Sequence, residues 1–327
     1  TKGLEIIEFE QLKARYWLPG LWEKVFSGES LPNVRDIGNL KLQPEVILGE
    51  IRNGVVPITL RKREGGYGQI SVFINGKEIV RDARGSKLDT SLSEQTIGYS
   101  ILNHPSLLQG LNTISVKASS EDGFVQGRGA EVVYHKQDEN EVKPSFFGVV
   151  IGVSKYANSD IDLVYPDRDA KAIAASIQTG ALNLFDGRAK TYVLSSSEEI
   201  RPTKANIKRV FEEIHDSAKA EDIVFVYLAG HGVTWGIGSE SDFYFLTSDA
   251  VASNKEAFTD PQIRQNRALS TNEMVEWLKD IAAQKQVMII DACGSGQAVE
   301  NLITSRDVEG SQIKAMDRMK DRTGMYV

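Results

Sequence analysis

Asp291-Ala292-Cys293-Gly294-Ser295-Gly296 holds the only cysteine of the 327-residue chain, directly after an apolar run from Gln286 to Ile290. His231 stands 62 residues earlier, between Gly230 and Gly232, at the end of a second apolar run from Ile223 to Ala229. A thiol and an imidazole make a nucleophile and its base. The thiolate attacks a carbonyl carbon, and the imidazole takes up the thiol proton and returns it to the leaving group. Taken singly, Cys293 reads as a small buried hydrophobe and His231 as the end of a strand. Taken together, each just past the carboxyl end of a strand-like run, they read as a Cys-His dyad, because neighbouring strands lie about 4.8 Å apart. Backbone N–H groups at Gly232 and Cys293 are the candidates for holding an oxyanion. The glycines beside His231 and Cys293 leave room for a substrate backbone. A phosphate loop is the other reading of Cys293 to Gly296, but the stretch lacks Gly-Lys-Ser/Thr and the spacing of a dinucleotide fingerprint. His104, His135 and His215 have no metal-like neighbours in sequence and read as structural or solvated.

The elements that must position this pair begin near Phe146. Gly148–Val153 reads as a strand, 168–179 as a helix, Thr191–Leu194 as a strand and Pro202–Ala218 as a helix. The last is entered through a proline, with Ile207, Val210, Phe211 and Ile214 on one face. The strand Ile223–Ala229, a long connection, a helix over 271–283 capped by Ser270 or Thr271, and a strand over 287–290 follow. Continuous apolar strands separated by helices predict an α/β fold with a mostly parallel sheet covered by helices on both faces. Ligands in such sheets sit outside the carboxyl ends of the strands, where His231 and Cys293 both fall. Ile313–Lys320 reads as helical, and Thr323–Val327 as the opening of a further strand.

Upstream, from about Leu40 to Tyr134, short β-branched runs alternate with turn residues. Asn75-Gly76 between Gln69–Ile74 and Lys77–Val80 predicts a two-residue hairpin. With Asn112–Ala118 and Ala130–Tyr134 the spacing predicts an all-β, immunoglobulin-like sandwich over 41–136. Residues 1–40 read as a connector, His135 to Pro144 as a charged linker, and 145–327 as the domain that carries the dyad.

Acidic residues number 45 against 38 basic ones, a net charge of −7, which argues against a nucleic-acid surface. No apolar run approaches the roughly 18 residues of a membrane span, and no signal peptide is visible. A lone cysteine excludes an internal disulfide and fits a reducing, cytoplasmic setting. The chain begins with Thr1, so a leader ahead of it stays open.

Leu228-Ala229-Gly230-His231-Gly232, Asp291 to Gly296, and Leu163-Val164-Tyr165-Pro166-Asp167-Arg168-Asp169-Ala170 together resemble caspase-like cysteine peptidases over roughly 146–327. The resemblance is stronger to metacaspases and other prokaryotic caspase homologues (orthocaspase-like proteins) than to animal caspases. In animal caspases a glutamine two residues before the cysteine and an upstream arginine help bind aspartate. Here Asp291 stands at the first position and no arginine at the second. The metacaspase resemblance implies instead that Asp169 and Asp291 line a pocket for the P1 arginine or lysine of a protein substrate. One departure is Gly294, where metacaspases usually have histidine. The family also implies a large subunit whose sheet is completed by strands of a small-subunit segment, so the C-terminal strands are expected to be missing from this chain. Arg306, Lys314, Arg318, Lys320 and Arg322 are processing candidates for an enzyme with basic P1 preference, or equally an ordinary charged helix face. No cofactor is called for. Calcium dependence, found in many metacaspases, stays open, with no compact acidic loop to indicate it. The β-rich segment would dock a regulatory protein, and neither nucleic acid nor membrane is an expected partner. The rival to the endopeptidase is a catalytically silent, caspase-like interaction scaffold.

Overall fold

The computed structural model describes residues 6–18, 20–28, 30–31, 33, 36–85, 88–137, 142–235, 242–251, 259–292 and 307–327. They divide into two units, Thr1–Asn140 and Glu141–Val327. Among them no helix is long and apolar enough to cross a membrane.

In the first unit, helices α1 (Phe9–Tyr16) and α2 (Leu21–Ser27) precede strands β1 (Glu45–Leu48), β2 (Val55–Arg61), β3 (Ile70–Ile74), β4 (Lys77–Val80), β5 (Glu94–Ser100), β6 (Gly110–Ala118) and β7 (Ala130–Lys136). Two helices therefore stand where a connector is expected, and Leu12 of α1 is buried with Leu40 and Val125. The Asn75-Gly76 hairpin forms, with φ of 52° and 86° at its two central residues. The strands form two antiparallel sheets, β1-β2-β5 and β4-β3-β6-β7. Alternate residues Val56, Ile58 and Leu60 of β2 share one apolar cluster with Ile70, Val72 and Ile74 of β3 and Ile114 and Val116 of β6. The immunoglobulin-like sandwich is thus corrected to two separate small sheets. Period-2 alternation marks strands with one buried face, but it does not select that fold. The immunoglobulin core is also missing, since 41–136 contains no tryptophan and a chain with one cysteine has no inter-sheet disulfide.

The second unit runs β8 (Phe146–Gly152), α3 (Pro166–Leu184), β9 (Ala189–Ser195), α4 (Lys204–Ser217), β10 (Ile223–Ala229), β11 (Gly232–Trp235), β12 (Asp242–Leu246), α5 (Pro261–Arg267), β13 (Ala268–Ser270), α6 (Thr271–Asp280), β14 (Lys285–Asp291) and α7 (Asp307–Thr323). Local signals explain the helix starts. The Thr203 hydroxyl accepts from the Asn206 N–H ahead of α4, and Ser270 with Glu273 forms a full capping box on α6.

The single, mostly parallel sheet expected of the whole domain is corrected as well. Parallel pairing is confined to four strands in the order β14-β10-β8-β9, and β11-β12-β13 form a separate antiparallel sheet. Over both units the described β structure is four small sheets, with seven antiparallel strand pairings against three parallel ones. The physical reason lies in the connection after His231. β11 and β12 are separated by six residues in sequence and pair antiparallel, whereas each parallel pairing needs a long crossover.

Each parallel strand shows one set of residues to each side. Val149 and Ile151 of β8 and Val224, Val226 and Leu228 of β10 join residues of α4 and α6 in the larger cluster. Val150, Tyr227 and Ala229 face the other way and pack with Ala170 and Ala174 of α3. On that side β8 also presents Gly148 and Gly152, so α3 lies close. A Cβ at Gly152 would stand 2.4 Å from the Pro166 carbonyl oxygen and 2.6 Å from the Ala170 Cβ. Neither atom belongs to a flexible side chain. Gly152→Ala is therefore expected to cost about 1–3 kcal/mol, lowering Tm by several degrees. Gly180→Ala, with nothing within 4 Å of the new methyl, is expected to hold or raise it, since alanine is favoured over glycine in a helix by about 1 kcal/mol. Thermal denaturation of the two variants checks the pair.

Candidate active site

The carboxyl ends of β8, β9, β10 and β14 lie side by side, because Gly152, Ser195, Ala229 and Asp291 occupy matching positions in the parallel register. Just beyond β10, His231 is 3% exposed. Its Nε2 lies 2.8 Å from the carbonyl oxygen of Ile161. A carbonyl only accepts, so Nε2 carries the proton and Nδ1 is left with a bare lone pair. Nδ1 is buried and has no hydrogen-bond partner among the described residues. Burial lowers the pKa of His231, opposed by the Ile161 hydrogen bond, and the net direction is downward, toward the neutral ring.

Several groups hold this imidazole. The Tyr156 hydroxyl accepts the His231 backbone N–H at 2.9 Å, and the two rings lie 5.3 Å apart. Asp162 accepts the Tyr156 N–H at 3.0 Å and pairs with Lys155 at 2.9 Å. Asn158 caps the single 3-10 turn Ser159–Ile161 that presents the carbonyl. Ser196, past the tip of β9, accepts the N–H groups of Ser154 and Lys155 at 3.0 Å each.

Cys293 and the glycines and serine after it lie outside the described residues. The segment that leads to the cysteine lies within them. Gly230 N–H donates to the Asp291 carbonyl at 3.3 Å, and a Cβ on Gly232 would be 3.4 Å from the Ala292 Cβ. The turn bearing His231 and the residue preceding Cys293 are therefore adjacent. Gly232, an expected oxyanion donor, forms the first residue of β11. Its missing side chain makes room for a neighbour rather than for substrate: a Cβ there would lie 2.3 Å from the Phe243 ring.

Asp291 and Asp169 fall on the α3 side of the parallel sheet. Asp291 is two residues past Ile289, which pairs with Tyr227, and the Tyr227 hydroxyl donates to Asp291 Oδ2 at 3.1 Å. Asp169 lies in the first turn of α3. The pKa of Tyr227 is raised first by burial, then by its hydrogen bond to Asp291, and then by the charges of Asp291 and Asp169. Asp291 thus contacts the phenol directly, and Asp169 acts on it by charge alone. Asp167 goes elsewhere and binds the hydroxyls of Ser195 and Ser197. Burial pushes its carboxyl up, and those bonds outweigh it, leaving the group below the ordinary range.

Of the processing candidates, Arg306 is outside the described residues, and the other four lie within α7. Arg322 pairs with Glu276 at 2.7 Å, Arg318 lies 3.7 Å from Asp242, and burial lowers the pKa of Lys314. Lys320 is exposed. Past α7, Tyr326 pairs in parallel with β14 at Val287. No group of three or more His, Cys, Asp or Glu among the described residues could hold a metal ion, so the calcium site left open by the resemblance has no ligand set there.

Residues 147–325 match the family model of the caspase domain of C14 peptidases. No curated protein matches the chain. Among solved structures, protein GSU0716 from Geobacter sulfurreducens is similar at 16% identity with a TM-score of 0.35, over 55% of this chain and 66% of its own. The chain thus spans just under two thirds of that protein. BA0330 from Bacillus anthracis is similar at 11% identity with a TM-score of 0.21, over 88% of this chain and 80% of its own. At these values neither likeness bears on fold or activity.

The neutral, buried imidazole predicts a pH dependence of stability. Its pKa in the folded protein is below the unfolded value of about 6.5, so the unfolded chain takes up the proton first as pH falls. The contribution of neutral His231 is whole above that value and drains as pH drops toward the folded value. Urea midpoints measured at pH 7.5 and pH 5 should fall further for the wild type than for His231→Gln. Equal falls would show that His231 is not buried in its neutral form.

Proposed function

We propose that this chain, which belongs to the caspase domain family of peptidases, is a cysteine endopeptidase that cuts proteins after arginine or lysine. The observation that carries the reading is the bare Nδ1 of His231, buried and without a partner among the described residues, with the ring proton fixed on Nε2 by the Ile161 carbonyl. A lone cysteine two residues past Asp291 is the group that such a base would serve.

In this mechanism His231 Nδ1 takes the Cys293 thiol proton, and the thiolate sulfur attacks the scissile carbonyl carbon. The carbonyl oxygen becomes an oxyanion, held by the N–H groups of Gly232 and Cys293. The C–N bond then breaks as imidazolium Nδ1–H protonates the leaving amine, giving a thioester and a free amino terminus. Water, deprotonated by the same nitrogen, attacks the thioester, releasing the carboxylate product and restoring the thiol. Burial favours the neutral imidazole between steps. The Ile161 hydrogen bond partly offsets the cost of the imidazolium during them.

The substrate preference rests on Asp169 and Asp291. They share one face at the strand tips, and both act on the same tyrosine. A P1 guanidinium or ammonium neutralises two neighbouring carboxylates, whereas a P1 aspartate adds a third like charge. The proposed activation is by partner binding or by processing. Residues 314–322 lie in a helix with two of their basic side chains in ion pairs, so a cut there requires α7 to open first.

Matched fluorogenic peptides with P1 Arg, Lys and Asp test the reading. Cleavage is expected after Arg and Lys and not after Asp. Cys293→Ala is expected to abolish both hydrolysis and labelling by iodoacetamide, and His231→Ala to lose about 10²–10⁴ in kcat. Asp291→Asn should lower kcat/KM after Arg far more than it lowers alkylation of Cys293. Undiminished hydrolysis by Cys293→Ala overturns the enzyme, and a preference for P1 Asp overturns the pocket.

A further inference from the structure

We propose that Tyr227 forms the floor of the pocket for the substrate's basic side chain and sets its preference for arginine over lysine, by holding one oxygen of Asp291 in place. The inference rests on the endopeptidase reading above and extends it to a residue that no sequence motif picks out.

Tyr227 sits in the middle of β10, a central strand, opposite Val150 of β8 and Ile289 of β14. Side chains alternate along a strand, so Tyr227, Ala229 and Asp291 share the α3 side. There Tyr227 is only 5% exposed and packs in one cluster with Val150, Ala170, Ala174 and Ala229. Ile173, Ile177, Val193 and Phe225 pack against the same cluster, so the ring is held on its flanks while its hydroxyl reaches Asp291. Its hydroxyl has one proton to give, and it goes to Asp291 Oδ2 at 3.1 Å. Burial and the charges of Asp291 and Asp169 all favour the protonated phenol, so Tyr227 stays a donor throughout the working pH range.

Specificity follows from what is left over. Asp291 keeps its second oxygen, which takes no hydrogen bond from the described residues, and the exposed Asp169 stands at the start of α3. The pocket therefore offers acceptors from two elements, one of them fixed in orientation. A planar guanidinium, with several donors in a rigid fork, gains from fixed acceptors. An ammonium, a compact charge with rotatable donors, gains less. Losing the tyrosine hydroxyl frees the Asp291 carboxylate to rotate and takes more from arginine than from lysine.

The test is Tyr227→Phe in the full chain, assayed on peptides that differ only in P1 Arg or Lys. KM after Arg is expected to rise about tenfold, the size of a lost hydrogen bond to a charged group, with a smaller rise after Lys. The value of kcat should stay within about twofold, the signature of lost binding shared by ground and transition states. Alkylation of Cys293 by iodoacetamide and the melting temperature report on the rest of the site and the fold. A double variant with Asp291→Asn isolates the route: if Tyr227 acts through Asp291, Tyr227→Phe adds little in that background.

Unchanged KM values, parallel losses for Arg and Lys, or a full additional loss in the double variant each overturn the proposal. So does a fall in alkylation together with the melting temperature, which marks Tyr227 as merely structural. A wild-type protein that cuts after neither Arg nor Lys overturns the endopeptidase reading and this one with it. One that cuts after both, with Tyr227→Phe unaltered, overturns this one alone.

Discussion

The chemistry at the strand tips depends on the hydrogen bond from His231 Nε2 to the Ile161 carbonyl. A carboxylate in that place would favour the imidazolium strongly. A carbonyl orients the ring and fixes its tautomer with only partial charge, and burial then keeps the ring neutral. The bond is useful only if the carbonyl does not move, and much of the surrounding sequence serves that end. Asn158 closes the turn beneath it, Asp162 anchors Tyr156, and the Tyr156 hydroxyl returns to the His231 backbone. Ser196 ties the start of the same loop to the end of β9. Three strand ends thereby hold one imidazole in a fixed orientation.

The parallel sheet keeps this base apart from the acids. Leu228 and Val226 of β10 point into the α4 and α6 side, while Tyr227 and Ala229 point toward α3. Asp291 follows the second set by register, and Asp169 comes from α3 itself. Two anions next to His231 would raise its pKa, yet among the described residues only burial and the Ile161 bond act on it. Alternation along a strand thus lets one edge carry a neutral imidazole and a carboxylate a few residues apart. The glycines of β8 complete the arrangement, since the close approach of α3 at Gly152 brings its first turn, and Asp169, to the sheet edge.

Sequence pattern located the strand Ile223–Ala229 to the residue, and α4 and α6 to within a few, because their apolar spacing and caps are local signals. It singled out His231 by residue type. It could not single out Ile161, since a backbone carbonyl is the same in every residue and only the fold decides which one faces the ring. Tyr156 and Tyr227 escaped for a related reason: an aromatic in an apolar run reads as core, and both are core apart from one oxygen atom. The separation into four sheets was also hidden. β11, β12 and β13 are three to five residues long, too short for periodicity to register, and they fell inside what read as a long connection. Alternation over 41–136 announced strands with one wet face and said nothing of how two sheets would be ordered.

That antiparallel sheet explains why glycine follows His231. Phe243 of β12 occupies the volume that a side chain at 232 would need, and Ala292 lies on the other flank. Leu246 N–H donates to the His231 carbonyl at 2.9 Å, and Phe245 pairs with Gly232. The residues after His231 therefore hold its backbone, while Ile161 holds its ring. A Cβ at 232 would push the Phe243 ring, the turn carrying the imidazole, or the segment leading to Cys293. Any of these motions shifts His231 relative to Ala292, the described residue next to it across the turn. Glycine is required at that position by the packing of Phe243 and Ala292 around the turn that carries His231.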